Sequence, residues 1–182
     1  DTTAIIAFRD NGDSNKGKAV VATISGGTIT CSAMTYLISG GTYNSYISAT
    51  RMTDTTAIIA FTDGGDSNKG KAVVATLSEG TITCSASTYL ISGGTANNYI
   101  SATRMTDTTA IIAFTDNGNS NKGKAVVATI SGGTITCSAM TYLIKGGTYN
   151  TYISATRMTD TTAIIAFRDD GDYSNGKTVV AT

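Results

Sequence analysis

A glycine-rich loop that carries carboxylates and amides recurs along the chain, and its first copy at 10–15 reads DNGDSN. Oxygen atoms of Asp and Asn side chains are the ligands that Ca²⁺ takes in proteins. The loop is therefore a candidate calcium site. Its carboxylates are those of Asp10, Asp13, Asp63, Asp66, Asp116, Asp169 and Asp172.

The same loop is also typical of a structural turn. Asp and Asn favour turns because their side chains accept hydrogen bonds from the backbone two residues further on. The third copy has Asn119 in place of Asp13, no Glu closes the loop, and the spacing differs from that of established calcium loops. We therefore predict a structural turn and no cofactor, with calcium binding as the alternative.

A second candidate site combines aromatic and amide side chains after each Gly-Gly pair. Such side chains bind sugars, and weak sites that are repeated gain avidity. The second copy has Ala96 where the first has Tyr43, which is typical of a variable surface loop. A degenerate loop and a glycan site are thus both open. The candidate ligand-binding residues are Tyr43, Asn44, Tyr46, Asn97, Tyr99, Tyr149, Asn150 and Tyr152.

Arginines recur three residues before an aspartate, first as Arg51 and Asp54, and again at Arg104 and Arg157. This spacing favours a local ion pair at the surface. The alternative is a ring of cations that lines a channel or a shallow pocket.

These residues recur because the chain is built from a 53-residue period, and the motif DTTAIIAF starts at Asp1, Asp54, Asp107 and Asp160. We predict a single repeat array over 1–182. Its units are repeats 1–53, 54–106 and 107–159 and a partial repeat 160–182. Because the pattern starts and stops within a unit, we expect a piece of a longer array or a chain that completes its architecture with other chains.

Each repeat is predicted to form four short antiparallel strands. The segments 57–61 and 72–77 are apolar on both faces and are expected to be buried between neighbouring sheets, whereas 46–52 alternates as a half-buried strand does. A longer fourth strand is predicted over 81–91. The chain is thus predicted to be all-β, with tandem four-stranded blades of the β-propeller type. Too few blades are present for a comfortable ring, so we expect either a toroid completed by oligomerisation or an open stacked array.

The segment 8–23, FRDNGDSNKGKAVVAT, resembles repeats in large surface and tail-fibre-like proteins of marine microbes and their phages. Those repeats look like propeller blades. The Asp-x-Gly core also resembles the Asp-box hairpin of sialidase-like propellers, although the aromatic residue of that motif is missing. The resemblance implies an extracellular location or one at a cell or virion surface.

Composition limits the possible functions. The 13 basic and 13 acidic residues give a net charge of zero, which argues against a nucleic-acid groove, and no apolar run is long enough for a membrane span. Histidine is absent, so serine–histidine and cysteine–histidine catalysis are excluded for this chain alone. The three cysteines, Cys31, Cys84 and Cys137, are predicted to be core thiols.

Two functions follow from these observations. The first is a non-enzymatic structural or adhesive repeat protein that assembles with identical chains or further repeats. The alternative is a multivalent, lectin-like propeller that binds glycans. No repeat has a unique residue set that marks an active site, so we predict that the chain is not an enzyme.

Overall fold

The computed structural model describes residues 2–182, which form antiparallel β-strands joined by short turns. Single-turn 3-10 helices lie at Asn11–Asp13, Gly64–Asp66 and Asn117–Asn119. The strands are β1 (Thr3–Asp10), β2 (Lys16–Ser25), β3 (Thr28–Cys31), β4 (Thr35–Tyr36), β5 (Asn44–Arg51), β6 (Thr56–Asp63), β7 (Lys69–Ser78), β8 (Thr81–Cys84), β9 (Thr88–Tyr89), β10 (Asn97–Arg104), β11 (Thr109–Asp116), β12 (Lys122–Ser131), β13 (Thr134–Cys137), β14 (Thr141–Tyr142), β15 (Asn150–Arg157), β16 (Ala163–Asp169) and β17 (Asn175–Ala181).

The strands form four antiparallel sheets. The second sheet has the order β5-β6-β7-β8, with β9 also paired to β7, and the third repeats this order from β10 to β14. The first sheet contains β1-β2-β3 with β4 on β2, and the fourth contains β15-β16-β17. The all-β class and the antiparallel sheets predicted from the sequence are confirmed.

The predicted fourth strand is wrong as one continuous element. It is split into β8 and β9, which both pair with β7. Between them the Ser85 hydroxyl accepts a hydrogen bond from the Val74 N–H at 3.0 Å and donates to the Ala86 carbonyl at 2.9 Å. A side chain thus replaces the strand as the partner of β7 at this point.

The two central strands of the second sheet are buried on both faces, as their apolar runs predicted, whereas in the third sheet Val127 of β12 is 42% exposed. In β6, Ile59 and Phe61 pack on the first sheet together with Val21. Ile58, which precedes Ile59 in the strand, points to the opposite face of the sheet. There it packs in one apolar cluster with Ile112 of the third sheet. Successive sheets are therefore stacked face to face, with an apolar core between each pair.

Neighbouring sheets approach each other closely along β5, β10 and β15, which lie side by side. Hydroxyl groups of one strand accept hydrogen bonds from backbone N–H groups of the next. Ala102 N–H donates to Ser48 Oγ at 2.9 Å, and Arg104 N–H donates to Thr50 Oγ1 at 3.0 Å. We call the surface formed by β5, β10 and β15 the inner edge. It joins residues that lie about one repeat apart in the sequence.

The cysteines are all free thiols. Cys84 and Cys137 pack against the cores between sheets, where burial raises the pKa of each thiol to about 11. The core position predicted from the sequence is wrong for Cys31, which is exposed on the first sheet because no further sheet among residues 2–182 covers it. Within that range, no helix has the length and apolar character needed to cross a membrane.

Candidate functional site

Three tyrosines from three repeats meet at the inner edge. The ring centroids of Tyr46 and Tyr99 are 5.1 Å apart with an interplanar angle of 52°, and those of Tyr99 and Tyr152 are 5.1 Å apart at 47°. We call these residues the tyrosine row. The sequence placed one such residue in each repeat, whereas the structure joins them into one continuous surface.

A β-bulge sets the direction of each of these side chains. The pairing of β5 with β6 shifts its register between Ser45 and Ser48, and the same shift recurs in β10 and β15. At the bulge the backbone φ is 47° for Tyr46, 49° for Tyr99 and 51° for Tyr152. Bulky residues rarely adopt this left-handed conformation, which costs about 1–3 kcal/mol and is concentrated at functional sites. Bulges of this kind re-aim side chains.

The tyrosine row is accessible from solvent. Tyr46 is 41% exposed and Tyr152 is 62% exposed, whereas the central Tyr99 is half-buried between them. Burial raises the pKa of the Tyr99 hydroxyl, so this group stays a protonated hydrogen-bond donor at neutral pH. The row is therefore an aromatic surface that is partly open to solvent.

Arginine side chains contact tyrosines in the first and last sheets. The Arg168 guanidinium lies 4.7 Å from the ring centroid of Tyr152, and the Arg9 guanidinium lies 5.9 Å from that of Tyr43. In the two middle repeats the equivalent residues are Thr62 and Thr115, whose hydroxyls donate to carbonyl groups of the following sheet. These arginines are not among the site residues predicted from the sequence, where their only signal is the Arg/Thr difference between repeats.

Tyr43 lines an open groove of about 510 Å³ together with Arg9, Ser45 and Tyr46. The ring of Tyr43 packs over Gly64 of the second sheet, where an added Cβ would lie 2.1 Å from the ring carbon Cδ1. The Gly64 N–H also donates to the Tyr43 carbonyl at 2.8 Å. Tyr43 is therefore held by the next sheet, and 39% of it remains exposed, compared with 45% of Tyr149.

The amides predicted beside these tyrosines lie in the interior. Asn44, Asn97 and Asn150 are fully buried. The Asn44 Oδ1 accepts a hydrogen bond from the Gly17 N–H at 3.0 Å, and its Nδ2 donates to Thr42 Oγ1 at 3.3 Å. The other two amides make the equivalent contacts. These buried amides hold the tyrosine loops through hydrogen bonds to neighbouring segments, and their role in ligand binding stays an untested prediction.

Lysine ammonium groups occupy the centre of each carboxylate loop. The Asp63 Oδ1 accepts from the Gly65 N–H at 3.0 Å, and its Oδ2 lies 2.8 Å from Lys71 Nζ. Asp66 lies 2.8 Å from the same Nζ and 2.9 Å from Lys69 Nζ. The other predicted metal-site carboxylates are paired with lysine in the same way: Asp10, Asp13, Asp116, Asp169 and Asp172.

This geometry supports the structural turn. An ammonium group stands where a bound cation would share the carboxylates, and in the described part of the chain no three or more His, Cys, Asp or Glu side chains converge as metal ligands. The backbone N–H two residues after Asp63 closes the turn, as it does after Asp10 and Asp116. Calcium binding stays an untested prediction.

The lysine contacts predict how stability depends on pH. Hydrogen bonds from Lys18 and Lys71 hold the pKa values of Asp13 and Asp66 well below their usual range. A lowered pKa in the folded state contributes stability above the unfolded value of about 4 and loses it as the pH falls through the folded value. We expect the melting temperature to be flat between about pH 5 and 8, because histidine is absent, and to fall below about pH 4. A transition near pH 6.5 would contradict this.

The arginines at the opposite end of the inner edge form local ion pairs. Arg51 contacts Asp54, Arg104 contacts Asp107, and the pair at Arg157 repeats the pattern. Both signs of charge line a shallow pocket of about 440 Å³ at this end. The surface is therefore a mixed charge pattern and differs from the cation ring considered as the alternative.

No family model and no curated protein matches the chain. Solved structures of the NanB sialidase do match. A NanB structure with optactamide has a TM-score of 0.60 at 13% identity, and the match covers 91% of this chain and 27% of that one. A point mutant of NanB from Streptococcus pneumoniae has a TM-score of 0.61 at 15% identity, with 90% and 26% covered. The chain shares its fold with part of a sialidase β-propeller. It spans about a quarter of the length of these sialidases.

This comparison corrects one prediction. We expected a protein that is not an enzyme, because histidine is absent and no repeat has its own active-site residues. Proteins with this fold include sialidases, which are enzymes, so the absence of these residue types does not exclude catalysis on this scaffold. At 13–15% identity the likeness shows the fold and assigns no activity.

Proposed function

We propose that the chain binds carbohydrate through the tyrosine row. The observation that carries this proposal is the continuous contact of Tyr46, Tyr99 and Tyr152, which come from separate repeats and share one exposed surface. Aromatic side chains offer a large, rigid apolar face together with a polar handle. The apolar C–H faces of a sugar stack on such rings, and its hydroxyls bond to the phenolic groups.

Two further features support this proposal. The three tyrosines keep a strained backbone conformation, and strain of this kind is maintained where a side chain must point in a particular direction. The arginine at one end, Arg168, adds a donor beside Tyr152. The sialidase-like fold supports carbohydrate as the class of ligand. A glycan array then identifies the sugar.

The proposed site is one surface shared by several repeats, and it differs from an arrangement with one independent site in each repeat. A ligand that lies along the row contacts several repeats at once, so affinity comes from one composite surface and does not require avidity between distant sites. The structural or adhesive role and the extracellular location remain predictions.

Substitution of the tyrosines tests the proposal. After a glycan array identifies a binding sugar, we expect Tyr99→Asn and Tyr152→Asn each to weaken its affinity about tenfold or more, since truncating a central aromatic anchor costs more than about 1.4 kcal/mol. Asparagine is chosen because it tolerates the left-handed conformation better than other non-glycine residues. Isothermal titration calorimetry gives the affinity, and thermal melting shows that the fold is retained.

Tyr173 provides a matched control. It is a tyrosine with a φ of 50° and is 97% exposed, but it lies outside the row. Tyr173→Asn is expected to leave affinity unchanged. An array without a binding sugar, or unchanged affinity for both row variants, contradicts the proposed function.

A further inference from the structure

We propose that the carboxylate loop of the third repeat, at 116–121, binds the carboxylate group of a small acidic molecule between Lys122 and Tyr142. The equivalent lysine and tyrosine of the first two repeats hold a carboxylate of the chain itself. Neither Lys122 nor Tyr142 belongs to the tyrosine row, so carboxylate binding at this loop and carbohydrate binding at the row can fail separately.

The second loop shows how these positions hold a carboxylate. The two oxygens of Asp66 lie 2.9 Å from Lys69 Nζ and 2.8 Å from Lys71 Nζ. The Tyr89 hydroxyl donates to the same carboxylate at 2.7 Å. Hydrogen bonds from these three donors, of which Lys71 has the largest effect, hold the pKa of the Asp66 carboxyl well below its usual range. The donors therefore favour an ionised carboxylate, and the first loop repeats the arrangement around Asp13.

The third loop keeps the lysine and the tyrosine but lacks the carboxylate. Asn119 stands at the position of Asp66, and its Nδ2 donates to the Tyr142 hydroxyl at 2.9 Å. The tyrosine oxygen is thus an acceptor here, and its own proton is left to donate to another group. In the described part of the chain no carboxylate forms an ion pair with Lys122, whereas its equivalent Lys69 has one.

The local charge also favours an anion. The first and second loops each combine two lysines with two aspartates, whereas the third combines two lysines with Asp116 alone. Lys124 is buried and pairs with that aspartate at 2.7 Å, which leaves Lys122 without a balancing charge. Lys145 replaces the serine of the other repeats on the Gly-Gly turn. That turn contacts the Lys122 stem, since a Cβ at Gly147 would lie 2.6 Å from Lys122 Cδ. Unbalanced positive charge of this kind attracts anions.

The loop is open to solvent in every complete repeat. Tyr142 is 42% exposed, and its equivalents Tyr36 and Tyr89 are each 38% exposed although a following sheet covers theirs. Lys122 and Asn119 are half-buried. A carboxylate can therefore approach from the solvent side of Asn119 and accept hydrogen bonds from the lysine and the tyrosine, as Asp66 does within the second loop.

A titration with sodium acetate tests carboxylate binding. Sodium chloride is withdrawn as acetate is added, so that the ionic strength stays constant and general screening is excluded. We expect the backbone amide resonances of the third loop to shift with a saturable, millimolar Kd, because the contacts are few and partly exposed. Resonances of the first and second loops are expected to stay in place. Shifts that do not saturate, or that are equal in all three loops, overturn the proposed site.

Two reciprocal substitutions test the equivalence of the loops. Asn119→Asp gives the third loop its own carboxylate and is expected to abolish acetate binding. Asp66→Asn removes the carboxylate of the second loop and is expected to create a weaker acetate site there, since Ser92 stands in place of Lys145. Each variant carries a residue that another repeat already has at that position, so the fold is expected to persist, and thermal melting checks this. Retained binding in Asn119→Asp, or no new site in Asp66→Asn, contradicts the proposed site.

A charge variant identifies the main donor. Lys122→Gln is expected to weaken acetate affinity about tenfold or more, because it removes a hydrogen bond from a charged group. Lys145→Ser is the matched control, which lowers the charge near the site without removing a proposed contact. It is expected to change the affinity by less than about fivefold. Equal effects of the two variants would show that the loop attracts anions only through its general charge.

Discussion

Replacement of Gly70 by alanine is expected to destabilise the chain by about 2–6 kcal/mol. A Cβ at this position would lie 2.3 Å from Asn97 Oδ1 and 2.9 Å from its Cβ. Asn97 is fully buried and accepts a hydrogen bond from the Gly70 N–H at 3.1 Å. The amide has to move, so overpacking costs about 1–3 kcal/mol and an unsatisfied buried amide costs about 1–3 kcal/mol more.

The fourth repeat contains the matched control. Gly176 is the equivalent of Gly70, and nothing lies within 4 Å of the Cβ that alanine would add there. Gly176→Ala is expected to change the free energy of unfolding by less than about 0.5 kcal/mol. Urea denaturation of both variants gives the two values, and equal losses would contradict the role assigned to the buried asparagines.

Asp116→Asn is expected to lower the free energy of unfolding by about 3–5 kcal/mol, which is the loss typical of a buried charge whose partner is removed. Lys124 and Asp116 are 1% and 2% exposed, and Lys124 Nζ lies 2.7 Å from Asp116 Oδ2. The third repeat has Asn119 where the others have a second aspartate, so Asp116 is the carboxylate paired with this lysine. The asparagine still accepts the turn hydrogen bond from the Gly118 N–H, which isolates the effect of charge.

Asp63→Asn is the corresponding change in the second repeat and is expected to cost less. Lys71 keeps Asp66 at 2.8 Å after this substitution. Adding Asn119→Asp to Asp116→Asn is expected to recover part of the lost stability, because it restores a carboxylate to the third loop. Chemical denaturation measures all three variants, and equal losses at Asp63 and Asp116 would show that the second carboxylate is irrelevant.

Much of the fold follows from local sequence patterns. Segments such as 57–61 are apolar on both faces, and only burial between two sheets satisfies them. The division of the fourth strand could not be predicted, because it depends on the Ser85 hydroxyl reaching the Val74 N–H across the sheet. Alternation of apolar and polar residues runs from Thr81 to Ser87, past Ser85, and gives no local sign of the break at that residue.

The candidate site was predictable only as a set of residue types. Tyr46 and Tyr99 are one period apart in the sequence, and their contact depends on how closely the sheets approach at the inner edge. The bulges that turn the rings toward one another are a feature of strand pairing. The sequence predicts Asn44 as a ligand-binding residue of a polar-aromatic loop, whereas it is buried and accepts a hydrogen bond from Gly17, which is 27 residues distant.

Binding stoichiometry tests the central claim most directly. Calorimetric titration of the chain with the glycan selected on the array is expected to give no more than one ligand per chain, and Tyr99→Asn is expected to weaken that single event. Three equivalent sites per chain would show that the repeats bind independently. That result, or the absence of any heat of binding, would contradict a composite site built from Tyr46, Tyr99 and Tyr152.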